Sequence, residues 1–208
     1  MTPSARYLLY TTKRYSLSFL GLCPGLALFY ELAGLGENTH YGESVTMLLF
    51  ICGAFVSLLP GTSGARDALS LGGRRKDIFW GLQGCALLCA LWVTLLSAAV
   101  NGITGALGWP ALPLNPAVLL YLLGAAFVLS ALGMLAGLLA QDHRGAAIAL
   151  FCLLVGFAMA AYFPLRLYAG GRLELWGDLP WLIPLGLAAL GAVGELSIYH
   201  LVSRLTVG

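Results

Sequence analysis

Few residues in this sequence are suited to chemistry, and the clearest candidates are carboxylates in apolar runs. Glu195 lies two-thirds of the way along the last apolar run, and Glu31 lies near the end of the first. Where such a run crosses a membrane, a carboxyl group is costly and commonly lines a polar path or pairs with a neighbouring group. For Glu195 the neighbours in sequence are His200 and Arg204. We take Glu195 and Glu31 as candidate pathway residues.

Motifs of the familiar hydrolases and nucleotide-binding enzymes are absent from the sequence. It has no HExxH or GxSxG motif, and neither Lys13 nor Lys76 lies in a GxxxxGK(S/T) phosphate loop. The three histidines, His40, His143 and His200, are too dispersed to favour a metal triad. We therefore predict that this chain has no catalytic residue, no bound cofactor and no metal site.

The cysteines also fall in apolar runs, where no oxidising machinery is expected. Cys85 and Cys89 stand four residues apart and would share a helix face, yet no histidine or acid lies in that run to complete a metal site. We predict free, packed thiols at Cys23, Cys52, Cys85, Cys89 and Cys152.

The elements that carry these residues follow from composition and from the length of the apolar runs. The chain has 208 residues, of which 60% are hydrophobic and 10% charged, against about 25% charged in a typical soluble domain. Apolar runs of about 17 to 25 residues cross a bilayer as helices, because helices satisfy their backbone amides internally. We predict an all-α integral membrane protein with six transmembrane helices in a single domain, residues 1–208. The predicted spans are 16–33, 43–59, 78–101, 116–140, 145–165 and 179–202.

Basic residues decide the predicted orientation, because positive charges near span ends are preferentially kept in the cytoplasm. With both termini inside, only Arg166 and Arg172 face outward. The Lys and Arg residues that then face the cytoplasm are Arg6, Lys13, Arg14, Arg66, Arg74, Arg75, Lys76, Arg144 and Arg204. Orientation explains these charges without nucleic acid, and we predict a multi-pass protein of the inner (cytoplasmic) membrane.

The N-terminal residues 1–15 mix Tyr and Leu with Arg6, Lys13 and Arg14. This pattern is typical of a short amphipathic helix that lies along the inner membrane surface. The alternative is a frayed cytoplasmic tail.

Two GxxxG pairs, Gly21–Gly25 and Gly133–Gly137, lie in predicted spans. Glycines at this spacing let neighbouring helices approach closely. We predict that they serve packing within the chain and not a dedicated dimer face.

The connection between the second and third spans, residues 61–77, is the most informative stretch. Ala65 to Leu71 can form two helical turns, and Gly72 and Gly73 then end the helix. Three consecutive cations, residues 74–76, lead into the next span. A short rigid helix at the inner face is what a membrane domain needs if a cytoplasmic motor is to move it. The simpler interpretation is that the cations only fix the orientation.

Residues 70–81, SLGGRRKDIFWG, resemble a stretch of ABC-2 type ABC transporter permease subunits in which SLG is followed by two variable residues, an arginine, an aromatic residue and a glycine. In that family the loop carries a coupling helix that docks on a separate ATPase, which binds ATP and Mg. The resemblance implies a cytoplasmic coupling loop at 61–77 and an outer re-entrant segment at 165–180. The coupling residues that it implies are Arg66, Asp67, Ala68, Leu69, Ser70, Leu71, Gly72, Arg74, Arg75 and Lys76.

Together with this resemblance, the layout predicts the transmembrane subunit of an ATP-driven exporter, which forms half of a translocation pathway. The expected partners are cytoplasmic ABC ATPase subunits, membrane lipid and a second permease subunit, identical or different. One alternative is a membrane-embedded enzyme that modifies lipid, with Glu195, His200 or the Asp142–His143 pair as acid or base. Another is a small accessory membrane protein with no chemistry of its own.

Overall fold

The computed structural model describes residues 3–14, 25, 41–108, 111–141, 145–148, 150, 152–158 and 182–204. This part of the chain is helical apart from short connections and contains no strand. In chain order the helices are α1 (residues 3–14), α2 (Tyr41–Leu59), α3 (Ala65–Ser70), α4 (Arg75–Ala106), α5 (Pro116–Leu139), α6 (Gly145–Ala158) and α7 (Leu182–Arg204).

Four helical segments are long and apolar enough to cross a membrane. They are α4, α5, α7 and the continuous helix that α2 forms with α3. Their bounds agree to within a few residues with four of the predicted spans, except where α2 continues beyond 59. The shorter apolar α6 coincides with part of the fifth predicted span. The first predicted span, 16–33, lies outside the described residues apart from Gly25. The described residues thus show an all-helical fold with four helices that could cross a membrane, while the count of six and the orientation stay predictions.

Helix α5 is at the centre of the bundle, in contact with α2, α4 and α7. Its N-terminus is set by Asn115, whose side chain accepts a hydrogen bond of 2.8 Å from Val118 N, and by Pro116, which fits the first helical position. From Ser130 to Leu138 every residue of α5 is buried. This helix has apolar residues on all sides, as expected of a helix surrounded by other helices.

Glycines allow α5 to approach α2 until their backbones nearly touch. A Cβ atom added at Gly133 would lie 2.5 Å from Ala54 O and would also collide with Ser57 Oγ. At Gly137 it would lie 3.0 Å from the Cα of Gly61. The GxxxG pair Gly133–Gly137 therefore packs helices within the chain, as predicted.

A buried side-chain amide, that of Asn101, joins α2, α4 and the connection that follows α4. Asn101 Nδ2 donates to Thr46 Oγ1 on α2 at 2.9 Å and to Ser97 O at 2.8 Å. Asn101 Oδ1 accepts from Leu112 N, 2.9 Å away, in the connection between α4 and α5. Because a buried polar group without a partner is costly in lipid, this three-way contact fixes α2, α4 and their neighbouring loop together.

The predicted break after the second span is not where the helix ends. Pro60–Gly64 forms a π-helical turn, in which Ala65 N donates to Pro60 O, and α3 follows directly. Pro60 has no N–H to bond to the preceding turn, so the helix widens there without stopping. Only residues 71–74 are non-helical, and α4 begins at Arg75 instead of 78. The predicted short helix after Ala65 is thus present, but the connection 61–77 in which it was expected is mostly a continuation of α2 and α4.

The glycine contact predicts a position-specific effect of one methyl group. Gly133→Ala should lower the apparent melting temperature of the purified protein by on the order of 5 °C, because overpacking costs about 1–3 kcal/mol. Gly124→Ala is the matched control on the same helix, since nothing lies within 4 Å of a Cβ there. The control should be neutral or slightly stabilising. Equal melting temperatures for the two variants would show that the α2–α5 contact is not tight.

Candidate functional site

Two helical segments, α2 with α3 and α4, are longer than a membrane requires, and they meet at the turn 71–74. Helix α4 has 32 residues, about 48 Å, against about 30 Å of hydrocarbon. Helix α5 ends near Gln141, whose side chain contacts Gly61 and Thr62. Beyond Gly61, the helix that began as α2 continues to Ser70, nine residues or about 13 Å further along. We call the end of the bundle at this turn, with α1 packed on it, the cationic head: residues 3–14, 65–74 and 75–84.

Helix α1 holds the head together through Leu8. This side chain is fully buried between two glycines on different elements. A Cβ at Gly64 would lie 3.0 Å from Leu8 Cδ2, and one at Gly81 would lie 2.9 Å from Leu8 Cδ1. The predicted N-terminal helix is therefore present, but its apolar face packs on the chain itself. The glycines provide the groove that receives it.

Polar contacts connect the same three elements at the surface. Tyr7 Oη donates to Asp67 Oδ2 on α3 at 3.3 Å. A Cβ at Gly73 would lie 2.8 Å from Ser4 Cβ, so the turn also approaches α1 closely. The head is a small packed unit in which each element contacts the other two.

The end of α3 has the geometry that its two glycines predict. Gly72 has φ +80°, a left-handed conformation that glycine adopts without strain. Its N–H donates to Leu69 O at 3.0 Å, and the N–H of Gly73 donates to Ala68 O at 3.0 Å. These two bonds are those of a Schellman motif, which ends a helix sharply. The chain can therefore turn into α4 within four residues.

The exposed surface of the head is strongly positive. Leu71 and Trp80 add apolar area to it, with exposed fractions of 69% and 62%. Arg204 ends α7 at the same end of the bundle, since Tyr199 contacts Phe79 near the start of α4. Every Lys and Arg in the described part of the chain thus lies at this end. The exposed cations are Arg6, Lys13, Arg14, Arg66, Arg74, Arg75, Lys76 and Arg204.

The structure separates the predicted coupling residues into two groups. Ala68 is fully buried and Leu69 half-buried against the head. These two residues hold the fold and present little to a partner. The remaining eight are exposed: Arg66, Asp67, Ser70, Leu71, Gly72, Arg74, Arg75 and Lys76.

A side-chain amide at the end of α5 fixes the base of the head. Gln141 Nε2 donates to Gly61 O at 2.6 Å and to Thr62 O at 2.5 Å. Both carbonyls belong to the π-helical turn, where the regular bonding of an α-helix is interrupted. Gln141 therefore bonds to two carbonyls of the turn, and it ties α5 to the point where the head begins.

Glu195 has a partner that its position in sequence does not indicate. Gln83 Nε2 on α4 donates to Glu195 Oε2 on α7 in a short hydrogen bond. His200 is exposed, and a five-residue offset turns it roughly 140° around the helix from Glu195. The sequence-based alternatives of pairing with His200 or Arg204 are therefore replaced by a contact between helices.

Several other predicted residues lie outside the described part of the chain. These are Glu31, His40, Asp142, His143, Cys23, Gly21 and the outer segment 165–180. Of the cysteines that the structure describes, Cys85 and Cys89 are buried, Cys52 is half-buried and Cys152 is exposed, and none of these four forms a disulfide. Within the same part of the chain no three potential metal ligands come together.

Sequence reasoning missed the three amides that join the helices, Gln83, Asn101 and Gln141. Each is a polar residue in or at the end of an apolar run. Such residues commonly bond across helices in membranes, so their type and position were available as a signal. Their partners could not be predicted, because 55 to 112 residues separate each amide from the side chain or carbonyl that it contacts on another helix.

No protein-family model, curated protein or solved structure matches this chain.

Removing the Gln141 amide should loosen the base of the head. Gln141→Leu leaves two carbonyls without their donor, so amide hydrogen exchange in residues 60–70 should speed up by on the order of tenfold. Mass spectrometry of the exchanged protein would measure it. Gln83→Leu is the control, because it removes an equal amide from another contact and should leave 60–70 unchanged. Unaltered exchange in Gln141→Leu would show that the bond does not stabilise the turn.

Proposed function

We propose that this chain is the transmembrane subunit of an ATP-driven exporter of the ABC-2 type and that the cationic head docks on a separate ATPase subunit. The observation that carries the proposal is the continuity of the head with two membrane helices. A force applied at residues 66–76 acts directly on α2 and α4, because only residues 71–74 are non-helical.

The surface of the head supports a docking role. Leu71 stands at the tip, on a turn that the Schellman motif fixes. Arg66, Arg74 and Arg75 are exposed beside it in sequence. An apolar side chain surrounded by charges is a common arrangement at the centre of a protein interface. The fitting partner surface has an apolar pocket with an acidic rim.

The concentration of positive charge at the end with the head favours a cytoplasmic location for it. This is the side where ATP is available. In the proposal, two such subunits, identical or different, enclose the pathway, and closure of the ATPases changes the angle between bundle halves by rigid-body movement.

The geometry favours the lipid-modifying alternative less. Glu195 accepts a hydrogen bond from Gln83, and His200 points to a different side of α7. The described residues therefore offer no acid and base converging on one position. The Asp142–His143 pair lies outside them.

Replacing one exposed leucine, Leu71, tests the docking role. Leu71→Glu should reduce recovery of an ATPase subunit with the affinity-purified chain by at least about tenfold, because a charge would replace the apolar centre of the contact. Leu107→Glu is the matched control: Leu107 is 61% exposed at the opposite end of α4 and should leave recovery unchanged. Ala68 is not suitable for this test, because it is fully buried and a charged side chain there would disturb folding.

Two results would contradict the proposal. One is recovery of the wild-type chain from its native membrane without an ATPase. The other is equal retention of the ATPase by Leu71→Glu and Leu107→Glu. Either result would remove the reason for assigning a coupling role to the head.

A further inference from the structure

The seam between α4 and α7 carries two rungs of paired side chains, one polar and one aromatic. The polar rung is the Gln83–Glu195 hydrogen bond. In the aromatic rung the rings of Phe79 and Tyr199 meet edge to face, with centroids 5.5 Å apart. On each helix the two residues are four positions apart, so the rungs lie about 6 Å from one another.

One oxygen of the polar rung is left unsatisfied. Glu195 Oε1 is buried and has no hydrogen-bond partner among the residues that the structure describes. A buried carboxylate oxygen without a donor costs free energy, and more so near lipid. Protonation would remove the charge but would leave the acid O–H without an acceptor, because Gln83 directs an N–H donor at this carboxyl group. In its ionised form, Glu195 Oε1 lacks a donor, which the described chain does not supply.

We propose that the two rungs bind the primary ammonium group of an amphipathic amine. The ammonium donates to Glu195 Oε1, and its positive charge lies against the aromatic rung. Rings attract cations placed over their faces within about 6 Å. Trp80 adds a third ring, its centroid 5.6 Å from that of Phe79. A metal ion is a poorer fit, since hard cations require more oxygen ligands than one carboxylate and one amide provide.

The position of the seam suits a ligand with an apolar tail. Glu195 lies nine residues before the end of α7, about 13 Å along the helix axis from the cationic end. The outer wall is formed by Tyr199 and Trp80, which are 60% and 62% exposed. Exposed side chains change rotamer within nanoseconds, so they can admit the head group. The tail then lies along α7, where Leu196 is 71% exposed.

This inference deepens the proposed function by naming a substrate class, and only the transport of the amine rests on that function. Binding itself is measured on the purified chain without any ATPase. A failure to bind the amine would leave the docking proposal standing, and a failure to recover an ATPase would leave the binding site standing.

The test is saturable binding of radiolabelled dodecylamine to the purified chain in phosphatidylcholine nanodiscs. Wild type should bind saturably, with competition by unlabelled dodecylamine but not by dodecanol. Dodecyltrimethylammonium has no N–H and should compete about tenfold less well. Glu195→Gln should weaken binding by about tenfold or more. Ser197→Ala is the control on the same helix, since Ser197 Oγ donates within α7, to Val193 O, and binding should not change.

A second variant covers the case in which Glu195→Gln does not fold. Tyr199 is largely exposed, so Tyr199→Leu should keep the fold and weaken binding several-fold, about the effect of one cation–π contact. Phosphatidylethanolamine added to the nanodiscs separates two sources of the amine: competition identifies a lipid head group, and no competition identifies a free amine. Unsaturable uptake, equal competition by dodecanol, or unchanged binding in a folded Glu195→Gln variant would overturn the proposal.

Discussion

Helices in lipid gain little from burying apolar surface against each other, so their association depends on close packing and on bonds between polar groups. Among the described helices the closest packing is between α5 and the helix of α2 and its π-helical turn, where Gly61, Gly133 and Gly137 bring two backbones together. No methyl group fits at Gly133 without displacing backbone atoms. Because α4 packs on both helices and α7 packs on α5, the glycine contact sets the frame from which the rest of the described bundle is built.

The same contact determines where the head begins. Of the three glycines, Gly61 belongs to the π-helical turn and contacts Gly137 near the end of α5. The turn is therefore packed against the end of α5. Only at such a short distance can Gln141 reach the two carbonyls that it satisfies. The turn is a place where a helix could bend, since Pro60 removes a donor and glycines remove side chains. Its contact with α5 holds that bend at one angle.

Much of the fold could be predicted from the sequence, because apolar length alone identifies helices that cross a bilayer. The end of α3 was also predictable, since a left-handed residue at Gly72 is a local requirement. The continuity of α2 into α3 could not be predicted, because Pro60, Gly61 and Gly64 are helix breakers in water. Packing against α5 makes a helix possible there. The partner of Glu195 was equally hidden, because Gln83 is 112 residues away and only the antiparallel packing of α4 and α7 brings the two together.

This continuity changes what kind of coupling the proposed function requires. A hinged elbow would transmit only part of an applied displacement, because its own bending would absorb the rest. Here a push on Leu71 is received by two helices that α1 clamps through Leu8, and α2 cannot slide along α5 without breaking the glycine contact. The easier response is for α2, α4 and α5 to tilt as one body. Helix α7 contacts this body over less of its surface than the other long helices do. Tilting would therefore change the α4–α7 seam first, which is where Gln83 and Glu195 meet.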